Sequence, residues 1–187
     1  RKVLQLLSVV VVGIAVALML ISPELVLIFG SPKYREAVYV IPPVAASVFF
    51  IFIYNILSMP QFYYEKTQFL MAASMAAAGA NVVLNFIFIR LFGYIAAGYT
   101  TLACYMLYSV GHYIVSKRIL VNEGIQENLM SPGFLVACSV FLIGASIICN
   151  LIFPYRILRY AILLASAGLV FWKKELLLKT MADIRKK

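Results

Sequence analysis

Long apolar runs, separated by short polar breaks, dictate what this chain can fold into. In order they cover about residues 3–29, 37–59, 67–91, 94–115, 132–153 and 158–172. A helix needs roughly 20 apolar residues to cross a hydrocarbon core about 30 Å thick. None of the runs shows the two-residue alternation of a barrel strand. Lipid offers no hydrogen bonds, so a single-run span must satisfy its backbone internally, as a helix does. The expected fold class is therefore all-α: a polytopic membrane protein of about six transmembrane helices. Charged residues make up 12% of the chain, about half the usual share in soluble domains, which excludes an ordinary water-soluble domain.

The breaks set the expected boundaries. Ser22-Pro23-Glu24 interrupts the first run, and Gly30-Ser31-Pro32 ends it ahead of a polar turn at Lys33, Arg35 and Glu36. Pro42-Pro43 lies near the start of the second run, where missing donors matter least, and Pro60-Gln61 is expected to end or kink it. Glu65-Lys66 reads as a tight loop. The third run, Thr67 to Leu91, would be about 37 Å long as a helix, so tilt or interfacial ends are expected. Ala72, Ala76 and Ala80 recur four apart on it, as do Ser74 and Ala78, a pattern that lets helices approach closely. The longest loop runs from Lys117 through Asn128 and is a candidate for an interfacial helix. Arg159, near the start of the sixth run, must snorkel or face a polar interior. A basic tail begins at Lys173-Lys174.

Sixteen Lys and Arg face seven Asp and Glu. The cations sit at run ends and in the tail, the pattern of the positive-inside rule rather than of a nucleic-acid partner. Six spans put both termini on one side, and six of the sixteen cations lie in the tail, so that side is expected to be cytoplasmic. Arg1-Lys2 leads straight into an apolar run with no cleavage site and no initiator Met, and the chain is expected to be the covered part of something longer. Cys104, Cys138 and Cys149 lie within apolar stretches without a CxxC or CxxH neighbour, and read as small buried hydrophobes.

No enzyme constellation is evident. There is one histidine, and the seven carboxylates fall mostly at run ends or in loops, which leaves no partner for His112 in a catalytic triad and no clustered metal ligands. No phosphate-binding loop or dinucleotide fingerprint occurs, so no cofactor is expected. The informative groups are polar residues inside apolar runs. Asn81 and Asn85 share a helix face at i, i+4, and amides in lipid must find partners. They either bond between helices, the commoner fate, or line a polar cavity, and the same pair of readings applies to Asn55. Arg90 is either an interfacial anchor or a cavity guanidinium able to hold phosphate through two parallel bonds. His112, a little more than a turn before Lys117, is expected at an interface, with proton relay the lesser alternative. The many tyrosines fit interface belts. A few could stack on sugar rings, but the sequence does not select which.

NVVLNFIFIRLFGYIAAGYTT, from Asn81 to Thr101, resembles a late-chain signature of bacterial polysaccharide flippases of the multidrug/oligosaccharidyl-lipid/polysaccharide exporter superfamily. Asn81, Leu84, Asn85, Gly93, Ala97 and Thr101 match, while Ala96 and Gly98 stand where glycine and alanine are usual. An earlier block, PELVLIFGSPKYREA from Pro23 to Ala37, resembles a second pattern through Gly30, Tyr34 and Ala37. The resemblance covers Arg1 to about Arg118 and the last two runs only by hydropathy. It implies one six-helix lobe (MATE-like) of a two-lobe transporter, with an N-terminal lobe as partner. It also implies alternating access, an undecaprenyl-diphosphate-linked oligosaccharide as substrate, and location in the bacterial cytoplasmic membrane among its lipids. Arg90, Asn81, Asn85 and Asn55 are the candidate contacts to that substrate. A drug or metabolite exporter of the same superfamily is the competing reading, and a membrane scaffold or fragment of a glycan enzyme a further one.

Overall fold

A computed structural model of the chain describes residues 2–125 and 129–172. Arg1, part of the long loop and the basic tail, on which the expected orientation rests, lie outside the described residues.

Every regular element among the described residues is helical. The order is α1 (Lys2–Phe29), a 3-10 helix (Pro32–Val40), α2 (Ile41–Tyr63), α3 (Gln68–Phe92), α4 (Ala96–Asn122), α5 (Pro132–Ile152) and α6 (Arg156–Trp172). Four stretches are long and apolar enough to cross a membrane: Lys2–Phe29, Lys33–Tyr63, Gln68–Phe92 and Pro132–Ile152. The fourth expected span, α4, is long but more polar, with Thr, Ser, Tyr and His along its length. The described part of α6, the sixth expected span, is 17 residues.

Several boundaries differ from expectation. The Ser22-Pro23-Glu24 break does not interrupt α1, which runs through Pro23. Proline removes the donor that would reach the carbonyl four residues earlier, and the Ser22 hydroxyl donates to that Met19 carbonyl instead at 2.8 Å. The polar turn after α1 is a 3-10 helix rather than an open loop. Pro60 lies inside α2 and does not end it, since the helix continues to Tyr63. α4 continues past Lys117-Arg118 to Asn122 and stops where Gly124 turns to positive φ. The described part of the long loop holds no helix of its own.

α2 is the central element and packs against α1, α4 and α5, with α3 flanking α4 and α6 resting on α1 and α5. The core is built on Phe49, Phe50, Ile53, Ile56 and Leu57 of α2, with Met19 and Leu20 of α1 and Leu142 of α5. Several hydroxyls inside the bundle bond to their own helix, whereas those of Tyr113 and Ser146 are buried without a partner among the described residues. Ser8, Ser47, Ser58 and Ser109 each donate to a carbonyl three or four residues earlier on their own helix, as a lipid-depth helix requires.

Two glycines fix the α3–α4 hairpin. Gly93, at φ +77°, ends α3 and donates its N–H to the Ile89 carbonyl, a backbone conformation open to glycine. Gly98 lets α4 approach the start of α2: a Cβ there would lie 2.8 Å from the Pro43 ring and 2.9 Å from the Val40 carbonyl oxygen. Ala72, Ala76 and Ala80 do not form a packing face among the described residues. α3 meets α4 through residues such as Ala73, Ala77, Asn81 and Asn85, about a third of a turn away, and none of its residues is fully buried.

The Pro23–Glu24 end of α1 is clasped to α6. Arg159, 3% exposed, donates from both terminal nitrogens to the two Glu24 carboxylate oxygens at 2.8 Å and from one of them to the Leu20 carbonyl at 3.0 Å. The Tyr160 hydroxyl donates to the same carboxylate. Of the two expected fates of Arg159, the structure shows burial on a polar partner.

Candidate functional site

One set of polar groups lies between α2, α3 and α4. Asn81 and Asn85, one turn apart on α3, are joined by a bond from Asn85 Nδ2 to Asn81 Oδ1 at 2.9 Å, and the Thr100 hydroxyl of α4 donates to Asn85 Oδ1. Asn85 is therefore committed to both neighbours and holds α3 to α4. Among the described residues Asn81 gives up only its carbonyl oxygen, and it lines a cleft.

That cleft encloses about 320 Å³ and is bounded by Tyr54 of α2, by Ser74, Ala77, Ala78 and Asn81 of α3, and by Thr101, Cys104, Tyr105 and Tyr108 of α4. Its tyrosines form one aromatic cluster. The rings of Tyr54 and Tyr105 are nearly parallel, 9° apart with centroids separated by 6.4 Å, and Tyr108 meets Tyr54 edge-on at 4.7 Å. The Tyr108 and Ser74 hydroxyls are hydrogen-bonded at 2.6 Å, which fixes the ring across the α3–α4 boundary. Among the described residues no charged side chain lines the cleft.

Behind this wall lies His112. It is fully buried by the protein, level with the last turn of α2 at Gln61 and the first turn of α3 at Phe69. Its Nδ1 accepts a bond from Gln61 Nε2 at 2.8 Å, and the same Gln61 nitrogen lies 3.3 Å from the Leu57 carbonyl. Tyr54, Phe69 and Tyr108 surround the imidazole, with Tyr108 edge-on at 4.5 Å. His112 Nε2 and Gln61 Oε1 are buried without a partner among the described residues.

The other expected contacts lie elsewhere. Asn55 is exposed and donates to the Ile51 carbonyl of its own helix at 2.8 Å; its neighbour Tyr54, not Asn55, lines the cleft. Arg90 is exposed in the last turn of α3, where a cation suits the helix dipole, with its guanidinium 3.9 Å from the Phe86 ring centroid. The structure thus brings Asn81 and Asn85 together and leaves Asn55 and Arg90 apart from them. The sequence placed Tyr54, Tyr105 and Tyr108 among the interface-belt tyrosines without selecting them, and offered Thr101 only as a match to the resemblance. The spacing of Thr101, Tyr105, Tyr108 and His112 at four, three and four residues is the signal that could have found three of them, since it places them on one face of α4.

A second groove, of about 350 Å³, runs between α2, α4 and α5 and is lined almost wholly by apolar residues such as Phe50, Leu57, Leu135 and Ile143. No group of three or more His, Cys, Asp or Glu able to hold a metal occurs among the described residues. Compared with protein-family models, curated proteins and solved structures, the chain matches none.

Proposed function

We propose that this chain is one helical lobe, MATE-like in design, of a two-lobe transporter that turns a lipid-linked oligosaccharide across the bacterial cytoplasmic membrane by alternating access. The cargo on this reading is an undecaprenyl-diphosphate-linked repeat unit, and the process it serves is polysaccharide biosynthesis and export. The chain acts by binding and moving its substrate rather than by altering it.

The observation that carries the proposal is a cleft at mid-length of three helices, lined among the described residues by polar but uncharged groups and aromatic rings. Secondary transporters hold their substrates near the bilayer midplane, where polar side chains are otherwise costly. The cleft is built on the same α3–α4 hairpin whose sequence resembles the polysaccharide flippases. α3 also supports a partner lobe: it packs chiefly on α4 and leaves its other faces bare. A drug exporter would gain from a free carboxylate deep in a span. Glu24, within α1, is taken up by Arg159 and Tyr160, so that reading gains nothing from it.

Deletion of the gene in its native host tests the proposal. The expected outcome is loss of surface polysaccharide with lipid-linked repeat units accumulating in the membrane. Unchanged surface polysaccharide, with no accumulation, would contradict it.

A further inference from the structure

We propose that the cleft between α2, α3 and α4 binds a single uncharged sugar ring of the cargo, stacked on the Tyr54–Tyr105–Tyr108 wall and hydrogen-bonded by Asn81 and Thr101. The inference rests on the oligosaccharide reading above and adds to it the location of the site and the charge of what it holds.

The chemistry of the lining selects the ligand. A pyranose has one face of C–H groups carrying slight positive charge, which matches the negative face of an aromatic ring. Its rim of hydroxyls needs both donors and acceptors. The cleft supplies three tyrosine rings, with Tyr54 against both Tyr105 and Tyr108, and a rim of Ser74, Asn81 and Thr101. The Asn81 carbonyl oxygen is occupied by Asn85, which leaves its amide hydrogens for a ligand hydroxyl. The wall is fixed before any ligand arrives, because Tyr108 is tethered to Ser74 and both Tyr54 and Tyr108 rest on His112, itself held by Gln61. A fixed wall lowers the ordering cost of binding.

Size and charge narrow the ligand further. At about 320 Å³ the cleft is at the small end of ligand pockets, which run from about 300 to 1,000 Å³, so it suits a part of an oligosaccharide rather than a whole repeat unit. Among the described residues no cation lines the cleft, so a diphosphate has no counter-charge there. An organic cation would find aromatic faces but no carboxylate, and would meet the Asn81 amide hydrogens.

Saturation-transfer NMR on the whole chain in phosphatidylcholine nanodiscs tests the site. The probes are methyl N-acetyl-β-glucosaminide, choline and inorganic pyrophosphate. The sugar alone is expected to bind, through its C–H face. Tyr105→Leu should weaken it about tenfold by removing the stacking surface, and Tyr105→Phe should change affinity by no more than about twofold, since the ring stays. Ala78→Phe, which fills the cleft from the exposed side of α3 without removing any contact, should abolish binding and keeps the test decisive if Tyr105→Leu does not fold. Sugar affinity unchanged by Ala78→Phe, no sugar binding by the unaltered chain, or binding of choline or pyrophosphate in its place would each overturn the proposal. Because binding is read without transport, a negative result here removes the subsite, whereas unchanged surface polysaccharide on gene deletion removes the transport reading.

Discussion

The most heavily committed side chains are Glu24 and Arg159, and their pairing joins residues 135 positions apart. Burying two charges is costly, and removing one partner strands the other, at about 3–5 kcal/mol, whereas replacing both with neutral groups is often tolerated. Arg159→Met should therefore lower the thermal transition in detergent sharply, and Glu24→Gln combined with Arg159→Met should recover most of the loss. Equal loss in the single and double variants would show that the pair does not couple the two helices. Asn85→Leu removes the bonds to Asn81 and Thr100 and should cost about 1 kcal/mol in the same assay, the usual scale for a hydrogen bond between membrane helices. A transition unchanged by Asn85→Leu would deny Asn85 its packing role. At this scale the sequence was informative where partners are near neighbours: the i, i+4 spacing of Asn81 and Asn85 already puts them on one face. It could expect Arg159 to face something polar, but not that Glu24 was its partner. Gln61 and His112, 51 positions apart, were hidden for the same reason, because a long-range pair leaves no local pattern.

Among the elements, the α3–α4 hairpin shows how backbone chemistry positions the cleft. Gly93 turns the chain, and Gly98 brings α4 against the Val40–Pro43 junction. Gly98→Ala places a methyl group against backbone and a proline ring, neither of which can yield cheaply, and should destabilise by about 1–3 kcal/mol. A thermal transition equal to that of the unaltered chain would show that α4 can move away at no cost. Helix positions were largely legible, because apolar length and turn residues are local signals. The errors fall where a side chain or a neighbouring helix overrides them. Ser22 repairs the gap left by Pro23, and α4 carries Lys117-Arg118 on a helix that continues to Asn122. The small-residue pattern on α3 suggested a packing face at Ala72, Ala76 and Ala80, whereas α4 lies against the Ala73–Ala77–Asn81 face. Spacing gives the faces of a helix but not which of them a neighbour will cover.

On the scale of the whole molecule, successive helices alternate in direction and sort the polar connections to two ends. The Tyr94–Glu36 bond, the bonds from Asn150 to Tyr99 and to the Tyr39 carbonyl, and the Glu24–Arg159 clasp gather at one end, and the exposed Lys66–Glu123 pair lies at the other. A cysteine at position 65 and one at position 36, each placed in a chain with its native cysteines replaced, should be labelled by an impermeant reagent from opposite sides of the membrane; labelling from the same side would refute the alternating arrangement. An all-helical membrane fold could be read from the apolar runs alone, since lipid leaves a single run few alternatives. The cleft could not, because it depends on α2, α3 and α4 placing Tyr54, Asn81 and Tyr105 side by side. The central claim is that this bundle is half of a carrier for a lipid-linked sugar, and the most direct measurement is leaflet exchange of a fluorescent undecaprenyl-diphosphate oligosaccharide in proteoliposomes. The two-lobed protein containing this segment should move the lipid and the 187-residue chain alone should not, whereas robust exchange by the isolated chain, or none by the two-lobed protein, would contradict the claim.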